Sequence, residues 1–113
     1  MLPRLVGTAH ANRMMMLGER IYGEEAERIG LIYKCVEDDA VVAEAEALAA
    51  RLAGGPTVAL SQMKHNIRSG LDNDFNTALH IEAEGQRIAA GSADSAEGMK
   101  AFLEKRPAQF KGE

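Results

Sequence analysis

The residue types best suited to bind a ligand lie near the carboxyl terminus. They form the run Glu97-Gly98-Met99-Lys100-Ala101-Phe102-Leu103-Glu104-Lys105-Arg106. Residues 100–113 hold four basic and two acidic side chains, a net charge of +2, which leaves −6 for residues 1–99 because the whole chain carries −4. A basic patch on an acidic protein suits a small anion, such as a phosphate, better than a nucleic-acid backbone. The alternative is that these cations only complement the negative end of a helix that the pattern predicts to end at Arg106, before Pro107.

The other residues that could do chemistry are scattered. The three histidines, His10, His65 and His80, have no His or Cys three or four residues away, so the sequence predicts no metal site. None of the four serines stands in a Gly-x-Ser-x-Gly elbow. The single cysteine, Cys35, excludes an internal disulfide, fits a reducing cytosol and is followed by acids that would disfavour a thiolate. We therefore predict a structural role for Cys35.

Pairs of neighbouring carboxylates could in principle serve as general acid and base. Glu24 and Glu25 fall in the first turn of a predicted helix, where acids stabilise the positive end of the helix dipole. Glu82 and Glu84 are two residues apart and so diverge by about 200° around a helix. A third pair is formed by Glu44 and Glu46. Ion pairs or solvated faces are the predicted roles of these carboxylates.

The elements that must position these residues fall into two regions. Residues 1–39 show a helix–strand–helix–strand pattern, with an extended piece at residues 19–22 and a strand at residues 31–36. Gly18 and Gly30 are predicted to end the two helices. Residues 40–113 are helical throughout, interrupted at residues 54–56 and 70–74, and the last helix is predicted to begin at Asp94 or Ser95.

The composition describes a globular chain with a thin core. The chain has 113 residues, 46% of them hydrophobic and 27% charged, which is at most one domain. It has no Trp, two Tyr and three Phe, and alanine supplies much of its apolar content. Alanine-lined helices bury little area, so we expect substantial apolar surface to be covered by another copy or by further protein. No apolar run reaches membrane-spanning length, and no signal peptide opens the chain.

Seven segments, in order along the whole chain, resemble the crotonase (enoyl-CoA hydratase/isomerase) family. They are residues 2–7, 16–21, 25–32, 56–60 with Lys64, 79–86 with Glu82 and Glu84, 92–94, and the carboxyl-terminal run 97–106. Residues 35–39 and 91–94 are similar to the phenylacetate-pathway ring-epoxide isomerase branch. The match covers less than half of the usual length of the family, and its amino-terminal catalytic part is not matched. The resemblance therefore implies the C-terminal part of a crotonase fold, mostly α with one or two short strands near the amino end.

The resemblance also implies a function in coenzyme A thioester chemistry. Full-length members act through an enolate, adding water across an enoyl double bond or moving a double bond or ring, with two backbone N–H groups as an oxyanion hole. No catalytic residue maps onto this chain, so it is expected to be inactive alone. The family's signature aromatic and lysine, which hold the nucleotide end of coenzyme A, fall on Phe102 and Lys105. Residues 1–39 would be the tail of the spiral core and residues 40–113 the helical trimerisation region.

The implied partners are an acyl-CoA thioester and further copies of the chain. The resemblance implies a cytoplasmic homo-oligomer, a trimer or hexamer, that uses no cofactor other than the coenzyme A of its substrate and binds neither nucleic acid nor membrane. For Phe102 the alternative is simple core packing. For the whole chain the alternative is a helical oligomerisation module that binds no ligand, and the sequence leaves both readings open.

Overall fold

The computed structural model describes residues 1–113, which form two compact units, Met1–Glu44 and Ala45–Glu113. The chain is mostly helical, as expected. Its helices are α1 (Leu2–Met16), α2 (Gly23–Arg28), α3 (Val41–Ala53), α4 (Thr57–Gly70), α5 (Phe75–Ala90) and α6 (Ala93–Glu104), with a 3₁₀ turn over Asp38–Ala40 before α3. None of these helices combines the length and apolar content that crossing a membrane requires.

Glycines set the ends and the break of the helices in the first unit. Gly7, with φ 76° and ψ 165°, divides α1 into two helical segments. Gly18 and Gly30 have φ of 66° and 74°, a left-handed conformation in which glycine avoids the steric cost of a Cβ. Their predicted role as helix stops after α1 and α2 is confirmed. Val6, Ala11 and Ala26 form the buried positions of this unit.

The short strands expected near the amino end are absent, and that part of the prediction is wrong. Residues 19–22 and 31–36 form no strand. A strand needs its N–H and C=O groups paired with a neighbouring strand, but here they have other partners. The N–H groups of Leu31 and Ile32 donate to the Ala26 carbonyl, 2.8 and 3.3 Å away, and close the end of α2. The Cys35 N–H donates to Glu27 Oε2 at 2.7 Å, so half-buried Cys35 lies in irregular backbone rather than in a strand.

In the second unit α5 packs along α4 and also contacts α6. Asp74 is the N-cap of α5. Its carboxylate accepts hydrogen bonds from the N–H groups of Asn76 and Thr77, at 2.9 and 3.1 Å. Pro56 is the N-cap residue of α4, directly before its first turn.

The core is thin, as the composition predicted. The buried apolar side chains are Val6 and three alanines, Ala11, Ala26 and Ala101. Large apolar side chains are instead exposed along the helices of the second unit. They include Met63, Ile67, Phe75, Leu79, Met99, Phe102 and Leu103. Because solvent-exposed groups of this size are costly to leave uncovered, the helices present surface suited to association.

Candidate functional site

The candidate site lies at the carboxyl end of α6. Ser92 is the N-cap of this helix: its hydroxyl accepts from the Ser95 N–H at 3.1 Å and donates to the Ala89 carbonyl at 2.8 Å. The helix therefore begins at Ala93, slightly before the predicted start at Asp94 or Ser95. One face is buried through Ala101, whereas Phe102 is 78% exposed. α6 thus presents an aromatic ring on its accessible side, close to its end.

The helix ends at Glu104, two residues before the predicted end. The turn that closes it, residues 101–106, is called here the C-terminal turn. The Lys105 N–H donates to the Phe102 carbonyl at 3.2 Å, and the Arg106 N–H donates to the Ala101 carbonyl at 3.1 Å. This pair of bonds is a Schellman motif, and Lys105 occupies its left-handed position with φ 54° and ψ 40°.

This geometry corrects how Phe102 and Lys105 are related. Their three-residue spacing predicts a shared helix face, but Lys105 lies beyond the helix and in a left-handed conformation. Reversal of the backbone at Lys105, rather than helical periodicity, sets where its side chain projects. The two residues are nevertheless joined at the same helix end, by the bond from the Lys105 N–H to the Phe102 carbonyl.

Arg106, the second cation of the turn, is committed to carboxylates. Its guanidinium donates two hydrogen bonds to Glu97, at 2.6 and 2.9 Å, and a third to Glu104 at 2.6 Å. Glu97 also accepts the Gln109 N–H at 2.8 Å. Hydrogen bonds donated by Arg106 and then by the Gln109 N–H lower the pKa of Glu97 to about 2. The hydrogen bonds that Arg106 donates to Glu97 and Glu104 raise its own pKa. Arg106 therefore serves the fold and is not available to an anion.

Lys105 differs, because its ammonium group has no carboxylate within ion-pair distance and the residue is exposed. Phe102 is also exposed, so it does not pack in the core of this chain. The structure thus leaves the Lys105 ammonium group and the Phe102 ring accessible at the end of α6. Those are the groups that can attract a phosphate and stack on a purine.

The residues after the turn, 107–113, form a tail that folds back on α6. Asp94 is 2% exposed, and its carboxylate accepts the N–H groups of Lys111 and Gly112 at 2.7 and 2.8 Å. The Asp94 N–H donates to the Glu113 carbonyl at 2.9 Å. The sequence predicts for Asp94 a place at the start of α6 and indicates no role for Glu97. The only available signal was an acid in the first turn of α6, because the nine-residue spacing of Glu97 and Arg106 matches no helical repeat.

The carboxylate pairs do not form a second site. Glu25, Glu44 and Glu84 bind Arg28, Lys34 and Arg87 respectively, each at 2.6 to 2.8 Å. The arginine hydrogen bonds lower the pKa of Glu25 and of Glu84. The predicted placement of Glu24 and Glu25 in the first turn of α2 is confirmed.

No group of three or more His, Cys, Asp or Glu side chains is placed to hold a metal ion. The histidines likewise show no arrangement around a common centre. His65 and His80 are exposed, and His10 is half-buried.

Comparison with known proteins places this helical arrangement in a family. The family model for enoyl-CoA hydratase/isomerase matches residues 1–113. The chain is 40% identical over 112 residues to 1,2-epoxyphenylacetyl-CoA isomerase of Escherichia coli, covering 99% of this chain and 43% of the relative. It is 44% identical over 111 residues to a probable enoyl-CoA hydratase of Rhodobacter capsulatus, covering 98% of this chain and 43% of that protein.

Solved structures agree with the sequence relatives. A putative enoyl-CoA hydratase from Streptomyces coelicolor matches with a TM-score of 0.92 at 41% identity, over 99% of this chain and 41% of that one. A putative enoyl-CoA hydratase/isomerase from Mycobacterium abscessus matches with a TM-score of 0.93 at 35% identity, over 99% and 43%. The chain thus spans less than half the length of these relatives, and the mostly α, crotonase-like fold is confirmed. This protein belongs to the enoyl-CoA hydratase/isomerase family.

Proposed function

We propose that this chain forms part of an enzyme acting on coenzyme A thioesters, in which it holds the nucleotide end of coenzyme A through Lys105 and Phe102. The observation that carries the proposal is the contrast between the two cations of the C-terminal turn. Arg106 is held by two carboxylates, whereas the Lys105 ammonium has none. An uncommitted cation on an ordered turn is suited to a phosphate, and the exposed ring of Phe102 is suited to adenine.

The chemistry of the reaction is proposed to come from residues outside these 113. Enolate formation next to a thioester needs pre-aimed N–H donors and a free carboxylate base. Glu25, Glu44 and Glu84, one member of each carboxylate pair, are held by basic partners, and we propose that the isolated chain is inactive. We propose that residues 1–39 belong to the spiral core, that residues 40–113 build the oligomer, and that the enzyme is cytoplasmic.

We propose for this chain only the substrate class that its two relatives share, coenzyme A thioesters. The E. coli relative is named for a ring-epoxide isomerase, which supports that branch of the family. The R. capsulatus relative, at slightly higher identity, is named as a probable hydratase. Both names include a coenzyme A thioester, and binding of the coenzyme A moiety is the part that Phe102 and Lys105 can serve.

A second candidate function is assembly without ligand binding. The exposed apolar side chains of α4, α5 and α6 favour it, because a helical surface of this kind is suited to cover another copy of the chain. In this reading the chain forms a homo-oligomer, a trimer or hexamer as in the family, and Phe102 belongs to the subunit interface.

Calorimetric titration of coenzyme A into the 113-residue chain separates the two functions. The comparison is between the wild type, Lys105→Ala and the control Lys100→Ala, which removes the same charge from the body of α6. We expect Lys105→Ala to weaken binding about tenfold, the effect of losing one charge-assisted contact of about 1.4 kcal/mol, and Lys100→Ala to leave it nearly unchanged. A folded oligomer that binds no coenzyme A would instead support the assembly module.

A further inference from the structure

The backbone of Lys105 is unusual in this chain. Lys105 is the only non-glycine residue with a positive φ, at 54°. The corresponding position of a Schellman motif is usually glycine, because a side chain raises the energy of the left-handed conformation. The two hydrogen bonds of the motif form equally well around glycine and so do not explain a lysine there. Some further contact must hold this turn in place.

That contact is supplied by Glu97, which lies about two turns earlier in α6. Its two carboxylate oxygens each accept one hydrogen bond from Arg106, the residue directly after Lys105. One of the same oxygens also accepts the N–H of Gln109 at 2.8 Å. The side chains of Glu97 and Arg106 are 23% and 34% exposed, so water competes less for this pair than for the open surface pairs.

Both sides of Lys105 are therefore fixed to the same helix. On its amino side the chain continues from α6, and on its carboxyl side Arg106 and Gln109 are bound to Glu97. A left-handed conformation persists at a bulky residue only where its surroundings over-determine it. The ion pair with its added backbone bond provides that constraint.

We propose that Glu97 is a positioning residue for Lys105, fixing through Arg106 and Gln109 the left-handed turn from which the Lys105 ammonium is presented to a phosphate. The inference rests on the proposed function, that Lys105 binds the nucleotide end of coenzyme A. Glu97 itself does not touch the ligand. Its contribution is pre-organisation, since a turn already held in the binding conformation loses less entropy when the phosphate arrives.

The first test reads the backbone and needs no ligand. A positive φ brings the amide and α protons of one residue close together and gives a strong NOE between them. We expect this NOE at Lys105 in the wild type and in Glu84→Ala, a control that breaks the comparable ion pair with Arg87 on α5. In Glu97→Ala it should weaken as the residue samples right-handed conformations. An undiminished NOE at Lys105 in Glu97→Ala would overturn the inference.

The second test is a double-mutant cycle of Glu97→Ala and Lys105→Ala, read by calorimetric titration with coenzyme A. If Glu97 acts through Lys105, Glu97→Ala should weaken binding roughly fivefold in the wild type, the cost of about 1 kcal/mol of lost pre-organisation, and have little effect in the Lys105→Ala background. A merely structural role would weaken binding equally in both backgrounds, which overturns the inference and leaves the proposed function standing.

The other outcomes of the titration test the proposed function itself. If Lys105→Ala alone binds coenzyme A as the wild type does, or if the wild type does not bind, the proposed function fails and the positioning role fails with it. Should Glu97→Ala fail to fold by circular dichroism, Glu97→Gln takes its place in both tests. Glutamine keeps an acceptor for the Gln109 N–H but loses the charge that pairs with Arg106, so an intermediate effect is expected.

Discussion

The left-handed conformation of Lys105 has a cost to the fold that can be measured apart from any ligand. A bulky residue at φ 54° is less stable than glycine at the same position, by about 1 kcal/mol. We expect Lys105→Gly to raise the free energy of unfolding by about that amount, although glycine substitutions usually destabilise helical proteins. Urea titration followed by circular dichroism measures the change.

The matched variant is Lys105→Ala, which removes the same charge but keeps a Cβ. It should leave stability close to that of the wild type, so the difference between the two variants isolates the backbone conformation. A Lys105→Gly variant that is less stable than Lys105→Ala would show that the turn is not left-handed in solution.

The ionisation of Glu97 should make the free energy of unfolding depend on pH in the acid range. Its pKa is lowered from 4.5 to about 2, first by hydrogen bonding to Arg106. The folded state therefore favours the ionised form, and the resulting stabilisation is complete above the unfolded pKa of 4.5 and is lost as the pH falls towards 2. We expect Glu97→Gln to be less stable than the wild type at neutral pH, with the difference closing over that interval.

Urea titrations at a series of pH values between 7 and about 2 test this window. Glu82→Gln is the control, because Glu82 is an exposed residue of α5 that forms no ion pair. A gap between wild type and Glu97→Gln that persists unchanged at the acid end would contradict the ion-pair assignment.

At the scale of the elements, most of the fold could be predicted because helix signals are local. Gly18 and Gly30 mark helix ends through their own conformation, and both ends follow from the sequence. The strand at residues 31–36 could not be judged in this way, since a strand exists only with a hydrogen-bonded neighbour. Apolar character alone suggested it, and the local bonds to Ala26 and Glu27 exclude it.

The residues of the candidate site could be predicted from sequence, but the contacts between them could not. Phe102 and Lys105 could be named from the family resemblance, but their relation depends on where α6 ends. The sequence predicts that α6 ends at Arg106. In the structure the helix ends at Glu104, and Arg106 instead pairs with Glu97. The contact between Glu97 and Arg106 joins residues on either side of a turn, so no periodic pattern reveals it.

The capping role of Ser92 at the start of α6 can be tested by its effect on stability. Ser92 caps the helix and also bonds the Ala89 carbonyl at the end of α5. We expect Ser92→Ala to lower the free energy of unfolding by about 1 kcal/mol, the usual loss for an N-cap serine. The control Ser95→Ala removes a hydroxyl from the exposed first turn and should change stability far less, in the same urea titration. Equal losses for the two variants would rule out the capping role.

For the whole molecule, the balance between buried and exposed apolar groups favours association. The buried apolar set consists of one valine and three alanines, which can contribute only a small part of the usual hydrophobic stabilisation. Meanwhile Phe102 and Leu103 are 78% and 74% exposed on neighbouring positions of α6. A chain with so little core gains stability when a second surface covers such groups, because burial there removes apolar area from water.

We therefore expect the chain to self-associate through α6. Leu103→Glu places a charge on that surface without disturbing the fold, since the leucine makes few contacts within its own chain. We expect the mass from light scattering to rise with concentration for the wild type and to shift towards the monomer for Leu103→Glu. Gln86→Glu adds the same charge at an exposed polar position of α5 and should behave as the wild type. If Leu103→Glu associates as strongly as Gln86→Glu, Leu103 does not lie in the interface between copies.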